Sequence, residues 1–389
     1  MNKKLIRITT VPLALRYLLP GQMKFMKDNG FDVIMISADG VEINEVIENE
    51  QCRHIIVPMS RRITPLVDFK CLIQLIKIFR NERPDIVHTH TPKAGLLGML
   101  AAKICRVKIR IHTIAGLRFT TSKWISRQIL IRMEKITCYA ANEVWPNSFS
   151  LMQAVKHYKL APPAKLKVIA SGSTNGIDLN RFSVSSLQSG VISDVKQQMK
   201  YNPDLEYLLF VGRIVKDKGV EELVQVFADL YMQNNRLRLI LVGSFEEKLD
   251  PLNENTKQLL NTHTGIIHIA WSNSVEYFMH LSLLLIHPSY REGFPNVLLQ
   301  AGAMGCPIVC SAIEGNVDVI EHGKTGLLFK VTNRESLYQQ LTFALNNPLL
   351  MKEYANTLKL NIHKKFDRSI VQAKILEQYN NLIAKANIK

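Results

Sequence analysis

The stretch that most constrains the fold lies near the C-terminal end and has the sequence HPSYREGFPNVLLQAGAMGCP over residues 287–307. It follows an apolar run at 281–286, which predicts a buried strand. A polar elbow comes next, and Pro295 suits the first turn of a helix because its missing N–H costs nothing there. Gly305 predicts the end of that helix, and residues 308–310 predict another strand. This strand–loop–helix–strand unit places the loop at the carboxyl end of a parallel sheet, where open α/β folds bind ligands.

The elbow also predicts the kind of ligand. The predicted helix directs its free N–H groups and the positive end of its dipole at the elbow, which favours an anion such as a phosphate. Glu292 precedes the helix, and we expect its carboxylate to accept hydrogen bonds from hydroxyl groups beside the phosphates. The alternative is an ordinary βαβ turn in which this glutamate only offsets the dipole. The elbow alone leaves both interpretations open.

The composition is that of a soluble globular protein with two or three domains. The chain has 389 residues, of which 47% are hydrophobic and 21% charged, and no apolar run approaches the roughly 18 residues that span a bilayer. The N-terminal segment begins with basic residues, but Arg7 and Arg16 interrupt its apolar part, so we expect a first strand and no signal peptide. The six cysteines form no Cys-x-x-Cys pair, which indicates reduced thiols in a cytoplasmic protein.

The net charge of +16 is concentrated in the first part of the chain. Residues 1–170 hold 27 Lys and Arg against 12 Asp and Glu, whereas residues 171–389 hold 22 against 21. A nucleic acid, an anionic membrane surface or a solvated face could each explain a basic domain. No nucleic-acid-binding signature occurs, so we expect no nucleic-acid partner. The mixed basic and apolar stretch at 123–132 favours a membrane surface, although a helix packed on the core with its basic residues outside remains open.

Strand and helix patterns alternate along the chain and then restart, which predicts two doubly wound parallel sheets. A polar segment at 183–204 separates the two series, and we place the hinge in it or just before it. Residues 336–389 predict helices throughout. The predicted strands are 5–10, 31–37, 54–59, 85–90, 110–114, 143–145, 166–169, 205–211, 237–242, 266–269, 281–286 and 308–310.

A second motif, FVGRIVKDKG at 210–219, runs from a predicted strand into a loop and a helix. Arg213 and Lys218 therefore leave the carboxyl end of a strand at the same edge of the sheet as the elbow. Two fixed cations there can neutralise a diphosphate, and more strongly the charge that develops as it leaves. Either cation alone would suggest a solvated loop residue. Their position beside Glu292 favours the functional interpretation.

These two motifs together resemble the signature of the GT-B glycosyltransferases of retaining family four. Most of the chain shares the resemblance, which is strongest over 208–329. The family has a second glutamate eight residues after the first, and Gln300 occupies that position here. The resemblance implies an α/β GT-B fold with two Rossmann-like domains facing across a cleft. It implies an N-terminal domain at 1–182, a donor domain at 183–365, and a C-terminal helix at 366–389 that returns to the first domain.

The resemblance also implies a set of site residues. Arg213 and Lys218 would hold the donor diphosphate, Glu292 would face the transferred sugar, and His112 would lie beneath it. Gly21 would let the backbone approach the phosphates. The remaining donor-binding positions would be Ala270, Trp271, Gly293, Phe294, Pro295, Asn296 and Gln300. His88 and His90 occupy alternate positions of one strand and so share a face, but no third ligand accompanies them, and we expect no metal.

The implied function is transfer of a sugar from a nucleotide diphosphate, a UDP-sugar by expectation, with retention and without a metal or other cofactor. No Asp-x-Asp, Gly-x-Gly-x-x-Gly, Gly-x-Ser-x-Gly or P-loop motif occurs. The resemblance and the basic first domain together imply a polyprenyl-diphosphate-linked glycan as the acceptor, in capsule or O-antigen synthesis. They also imply a cytoplasmic enzyme that is peripherally associated with the inner face of the membrane. The alternatives are a GT-B nucleotide-sugar epimerase or hydrolase, and a polyanion-binding protein without activity.

Overall fold

The computed structural model describes residues 3–122, 124–246 and 250–388. The chain divides into two compact units, Met1–Gly176 with Arg368–Lys389, and Ile177–Asp367. The first boundary between the units falls between residues 176 and 177, whereas the boundary predicted from the sequence came after residue 182. The second boundary falls between residues 367 and 368, whereas the predicted boundary came after residue 365.

The described part of the first unit contains one parallel sheet with the strand order β3-β2-β1-β4-β5-β6. Its strands are β1 (Lys3–Ile8), β2 (Phe31–Ser37), β3 (Arg53–Ile56), β4 (Ile86–Thr89), β5 (Ile109–Ile114) and β6 (Glu143–Pro146). A strand predicted at 166–169 does not join the sheet and forms only an isolated bridge between Val144 and Leu166.

Helices connect these strands, as parallel pairing requires. They are α1 (Pro12–Leu18), α2 (Gln22–Asp28), α3 (Ile43–Glu50), α4 (Pro65–Glu82), α5 (Pro92–Ile104), α6 (Trp124–Ala140) and α7 (Phe149–His157). The sequence patterns did not predict α1, α3 or α7. Each has at most nine residues, too few for its periodicity to stand out.

The second unit repeats this design with the strand order β12-β11-β10-β7-β8-β9, again parallel where the pairing is described. Its strands are β7 (Glu206–Val211), β8 (Leu237–Val242), β9 (Ile266–Ile269), β10 (Leu284–His287), β11 (Ile308–Ser311) and β12 (Leu327–Phe329). The prediction of two doubly wound parallel sheets is therefore confirmed.

The helices of the second unit begin inside the polar segment 183–204, where α8 forms. They are α8 (Ser189–Gln198), α9 (Val220–Gln233), α10 (Glu254–Thr262), α11 (Val275–Leu281), α12 (Asn296–Met304), α13 (Asn316–Val319), α14 (Arg334–Asn346) and α15 (Pro348–Lys365). The last helix, α16 (Arg368–Ile388), belongs to the first unit. The helical character predicted for 336–389 is confirmed over the described residues 336–388, with breaks only at 347 and 366–367.

Alternate residues of each strand enter two different hydrophobic cores, one on each face of the sheet. In β1, Ile6 and Ile8 join one core while Leu5 joins the other. In β7, Leu208 and Phe210 lie on the opposite face from Leu209. Both faces are covered by helices, so the strands carry almost continuous apolar runs. The exceptions are polar residues near the carboxyl ends of the strands.

Arg7 is the largest exception, because its side chain is fully buried beneath α16. It contacts the Tyr379 hydroxyl of that helix, the Gln22 side chain, and Nδ1 of His88 at 2.7 Å. Burial lowers the pKa of the Arg7 guanidinium. Tyr379 also stacks on Trp145, with 5.8 Å between the ring centres. Polar and aromatic contacts therefore tie α16 to the sheet of the first unit.

Candidate active site

The order of the strands in the second sheet defines where a ligand can bind. The chain builds outward from β7 in one direction through β8 and β9, and in the other through β10, β11 and β12. Strand order reverses between β7 and β10, so the helices that follow these two strands, α9 and α12, pack on opposite faces of the sheet and leave a crevice at its carboxyl edge. Both predicted motifs lie in these two loops.

The elbow after β10 is built by glycines and prolines. Pro295 is the residue before α12 and has an extended backbone, so the helix begins one residue later than predicted, at Asn296. Gly305 ends the helix with φ 72°, as predicted. Gly219 packs directly on the elbow, because a Cβ there would lie 2.1 Å from the carbonyl oxygen of Pro288. The two loops therefore touch through their backbones.

Lys218 and Glu292 form an ion pair across this contact. The Nζ atom of Lys218 donates a hydrogen bond to Oε1 of Glu292, and each side chain is only 17% exposed. Nε2 of the buried His287 lies 3.2 Å from the same carboxylate oxygen. Burial alone would raise the pKa of Glu292, but the charge of Lys218 and the contact with His287 hold it well below its usual range. Burial lowers the pKa of His287 by more than the nearby Glu292 carboxylate raises it, so the pKa of His287 lies below its usual value. At neutral pH the site therefore holds an ionised Glu292 and a neutral His287.

Arg213 lies at the same edge but has a different partner. Its guanidinium donates to Oε2 of Glu246 at 2.5 Å, and its side chain is 42% exposed. Glu246 follows β8, and the sequence analysis gave it no role. The structure thus brings Lys218 and Glu292 into direct contact, while Arg213 is paired with a carboxylate from the neighbouring strand end.

Two further contacts, neither foreseen from the sequence, hold the loops in place. Arg291 lies 2.6 Å from a carboxylate oxygen of Asp217, so neighbours of Glu292 and Lys218 are themselves paired. The Tyr290 hydroxyl donates to Glu222 at 2.5 Å, and burial together with that carboxylate raises the pKa of the tyrosine. The sequence did contain a signal for these contacts, because the acidic residues Asp217 and Glu222 come soon after the Gly-Arg pair at the end of β7. Their partners, however, depend on which strands are neighbours.

The other predicted donor-binding residues of the second unit lie around the same edge. Gly293 and Phe294 are buried in the elbow, and Asn296 and Gln300 are half-buried on α12, one turn apart. Ala270 and Trp271 directly follow β9, and the Trp271 side chain is 53% exposed. The predicted positions of this unit therefore lie in the loops after β7, β9 and β10 and in the first turns of α12.

Gly21, in the first unit, has a different partner from the expected phosphate. It precedes α2 with φ 76°, and its N–H donates to Oε1 of Glu50 at 2.5 Å. The other oxygen of Glu50 accepts from the N–H groups of Met23 and Lys24, each at 3.0 Å. A carboxylate from α3 therefore already fills the anion position at the N-terminus of α2.

His112 lies on β5 of the first unit and is buried. Its Nδ1 is 2.9 Å from the Thr89 hydroxyl, and Gly95 of α5 leaves the space that the ring occupies. Burial lowers the pKa of His112 to about 4, so the ring is neutral at pH 7. The role implied for it beneath the sugar stays a prediction. His88 and His90 stack with 4.4 Å between ring centres, as their shared face predicted.

No three His, Cys, Asp or Glu side chains converge within residues 3–122, 124–246 and 250–388 in the way a metal site requires. Among the helices that the structure describes, none is both long enough and apolar enough to cross a bilayer.

Two Rossmann-like units, with paired charges at the switch point of the second sheet, define a protein of the GT-B fold class. The Anabaena protein HepE, solved in complex with UDP and glucose, shares this fold with a TM-score of 0.82 at 17% identity. That match covers 97% of this chain and 100% of the other.

Sequence comparison gives the family. The family described as glycosyl transferases group 1 matches residues 191–364, and the family described as glycosyl transferase 4-like matches 12–148. Residues 191–364 therefore belong to the first of these families and residues 12–148 to the second, and the chain is an enzyme that transfers glycosyl groups.

Two curated relatives extend over most or all of the chain. The capsular polysaccharide biosynthesis glycosyltransferase CapM of Staphylococcus aureus is 29% identical over 100% of both chains. The second is the UDP-Gal:alpha-D-GlcNAc-diphosphoundecaprenol alpha-1,3-galactosyltransferase of Escherichia coli. It is 24% identical over 85% of this chain and 84% of its own.

The contact between Lys218 and Glu292 predicts unequal effects of substitutions at Glu292, in the elbow, and at Gln300, on α12. Glu292→Gln removes a charge that the family resemblance places beside the reacting sugar, so we expect kcat to fall by about 10²–10³ with little change in donor KM. Gln300→Glu alters only a hydrogen-bonding amide, so we expect an active enzyme whose donor KM changes by less than about tenfold, or 1.4 kcal/mol. Steady-state kinetics of the two purified variants measures both effects. An inactive Gln300→Glu enzyme beside a normal Glu292→Gln enzyme would contradict this assignment.

Proposed function

We propose that this enzyme transfers a sugar from a UDP-sugar to a polyprenyl-diphosphate-linked glycan, with retention and without a metal, in surface-polysaccharide synthesis. The observation that carries the proposal is the contact of Lys218 with Glu292 at the crevice between β7 and β10. It joins a cation suited to a diphosphate and a carboxylate suited to sugar hydroxyls in one place.

The donor is inferred from the chemistry of this edge. Arg213 and Lys218 can each exchange a carboxylate partner for a phosphate oxygen, and Trp271 stands exposed at the end of β9, where a base could lie. A UDP-sugar is the substrate in the name of the Escherichia coli relative, and UDP is bound in the Anabaena structure. We place the neutralising charge on the two cations and expect no metal requirement.

We propose retention because the chain resembles a retaining family, and the state of Glu292 is compatible with it. Its depressed pKa keeps it ionised at neutral pH, so it has no proton to give to a leaving group. Its pairing with Lys218 weakens it as a nucleophile. We therefore infer that the bond between the anomeric carbon and the diphosphate breaks while the acceptor oxygen bonds to that carbon from the same face. The acceptor proton then passes to the departing phosphate oxygen, and no enzyme-bound intermediate forms.

The acceptor class is inferred from relatives and from the first unit. The Escherichia coli enzyme is named for a diphosphoundecaprenol-linked acceptor, and a third relative, from Campylobacter jejuni, is named for a diphospho-undecaprenol acceptor. The Staphylococcus aureus relative is named for capsule synthesis. An acceptor of this kind is anchored in a bilayer, so an enzyme acting on it has to work at a membrane surface.

The test is a panel of UDP- and GDP-sugars, each with and without lipid-linked glycan acceptors, in the presence of EDTA. We expect UDP release that depends on the acceptor, persists in EDTA, and yields a product with the anomeric configuration of the donor. Conversion of the donor without an acceptor would instead indicate an epimerase or hydrolase. No reaction with any pair, together with binding to polyanions, would indicate a protein without this activity. Loss of turnover in EDTA would remove the metal-independent part.

Four exposed apolar side chains, which we call the membrane face, support attachment to a bilayer. Leu66 and Phe69 in the first turns of α4 are 83% and 63% exposed, and Trp124 and Ile125 at the start of α6 are 75% and 69% exposed. Helix α5 packs against both α4 and α6. Because each helix begins where a parallel strand has ended, these first turns lie at the carboxyl edge of the first sheet. Exposed apolar residues of this size on neighbouring elements are typical of an interaction surface.

Basic residues accompany the membrane face. Arg61, Arg62 and Lys70 are exposed beside Leu66 and Phe69, and Arg127 follows Ile125 on α6. Lys123, the first residue of the basic and apolar stretch in the sequence, lies outside the described residues. Mixed apolar and cationic side chains suit the boundary between acyl chains and anionic headgroups. We therefore propose that the first unit attaches the enzyme to anionic membranes.

We predict that the Trp124→Ser/Ile125→Ser variant of the full chain loses most binding to vesicles containing phosphatidylglycerol. The matched control is Leu349→Ser/Leu360→Ser, because those side chains are 80% and 73% exposed but belong to the second unit. Wild-type binding should weaken as salt rises, since screening shortens to about 3 Å at 1 M. Vesicle flotation measures all three proteins. Equal flotation of the two variants would count against the membrane face.

A further inference from the structure

A pocket of about 310 Å³ opens within the first unit, at the carboxyl edge of its sheet. It lies between the start of α1, the start of α5 and the segment after β5. Its volume is at the lower end of the range for small-molecule sites. None of the residues predicted to contact the donor lines it, so the donor chemistry does not explain it.

One part of its wall is apolar. Val11, Leu13, Ala14 and Leu18 line it, all from α1 or the residue before that helix. The two hydroxyl groups that face this region from Thr10 and Thr91 are hydrogen-bonded to each other at 2.7 Å. Their bonding capacity is therefore partly used within the protein. A sugar would leave many of its hydroxyl groups without partners against such a wall, which is costly for a buried polar group.

The other part of the wall is cationic. Arg61, Lys93 and Arg118 line the pocket, and no acidic side chain is among its described lining residues. Lys93 lies 2.6 Å from Asp68, so its charge is already balanced. Arg61 comes from the loop before α4, and Arg118 follows β5, so positive charge reaches the pocket from two separate loops. The first turn of α5 adds the positive end of a helix dipole.

We propose that this pocket binds the isoprenoid phosphate end of the lipid-linked acceptor, the phosphate at Arg61 and Arg118 and the first isoprene groups against α1. The inference rests on the proposed function for the identity of the ligand. An apolar wall joined to guanidinium groups fits a phosphate that carries a hydrocarbon chain, because arginine binds phosphate oxygens through paired N–H groups. The membrane face lies at the same edge, so a chain leaving the pocket has a bilayer surface beside it.

The test measures binding of farnesyl diphosphate to the full chain without a donor, and compares it with farnesol, inorganic pyrophosphate and dihexanoyl phosphatidylglycerol. We expect farnesyl diphosphate to bind at least about tenfold more tightly than each of the other three. Equal binding of pyrophosphate would reduce the site to a simple anion site and overturn the proposal. Tighter binding of phosphatidylglycerol would identify a seat for ordinary membrane lipid and would also overturn it.

Two variants locate the binding. Arg61→Glu should weaken the binding of farnesyl diphosphate by about tenfold or more. Leu13→Asp should also weaken it, independently, by placing a carboxylate against the isoprene groups. The matched controls are Lys77→Glu, an exposed cation of α4 outside the pocket, and Val41→Asp, an apolar residue that is 94% exposed. Unchanged melting temperatures show that all four variants are folded. Equal affinities in the pocket variants and their controls would overturn the proposal.

The two proposals fail in different ways. Acceptor-dependent transfer by the wild-type enzyme, without specific binding of farnesyl diphosphate, would overturn the pocket and leave the function standing. Specific binding of farnesyl diphosphate that depends on Arg61 and Leu13, without transfer to any lipid-linked glycan, would overturn the function and leave the pocket as an isoprenoid phosphate site.

Discussion

The ion pair of Lys218 and Glu292 is the interaction on which the site depends. It joins the loops after two adjacent parallel strands, and it forms only because Gly219 lets those loops meet at the carbonyl of Pro288. A larger residue at 219 would separate the backbones, and an unpaired charge at either position would be costly because both side chains are largely buried. The same contact sets the protonation of the site, since it keeps Glu292 ionised.

This arrangement has a consequence for the donor. Both cations expected at the diphosphate have carboxylate partners: Lys218 is paired with Glu292, and Arg213 is paired with Glu246. A bound diphosphate has to compete with these carboxylates or share the cations with them. We infer that the paired acids keep the cations placed before the donor arrives. Under the proposed function, the charge that develops on the leaving diphosphate would draw the cations away from their acids more strongly than the ground state does, which is the condition for catalysis by differential binding.

The sequence predicts the parts of this site that are local and leaves out those that depend on strand order. The elbow, Arg213 and Lys218 each follow an apolar strand, so their place at the carboxyl edge can be inferred from the pattern alone. The pairing of Lys218 with Glu292 joins residues 74 positions apart, and only the adjacency of β7 and β10 makes it possible. Gly21 is the converse case, and its predicted role stays a prediction. Its local pattern predicted a phosphate contact, while Glu50 from an unpredicted helix takes up its N–H.

The central claim is that Arg213 and Lys218 stabilise the departing diphosphate, and kinetics of cation variants in EDTA test it most directly. Arg213→Ala and Lys218→Ala should each lower kcat by about 10²–10³, and the double variant should retain only background turnover. Lys216→Ala is the matched control, because Lys216 is an exposed lysine of the same short turn, Lys216–Lys218. It should retain wild-type kcat. Full turnover by a correctly folded Arg213→Ala/Lys218→Ala enzyme would contradict the account.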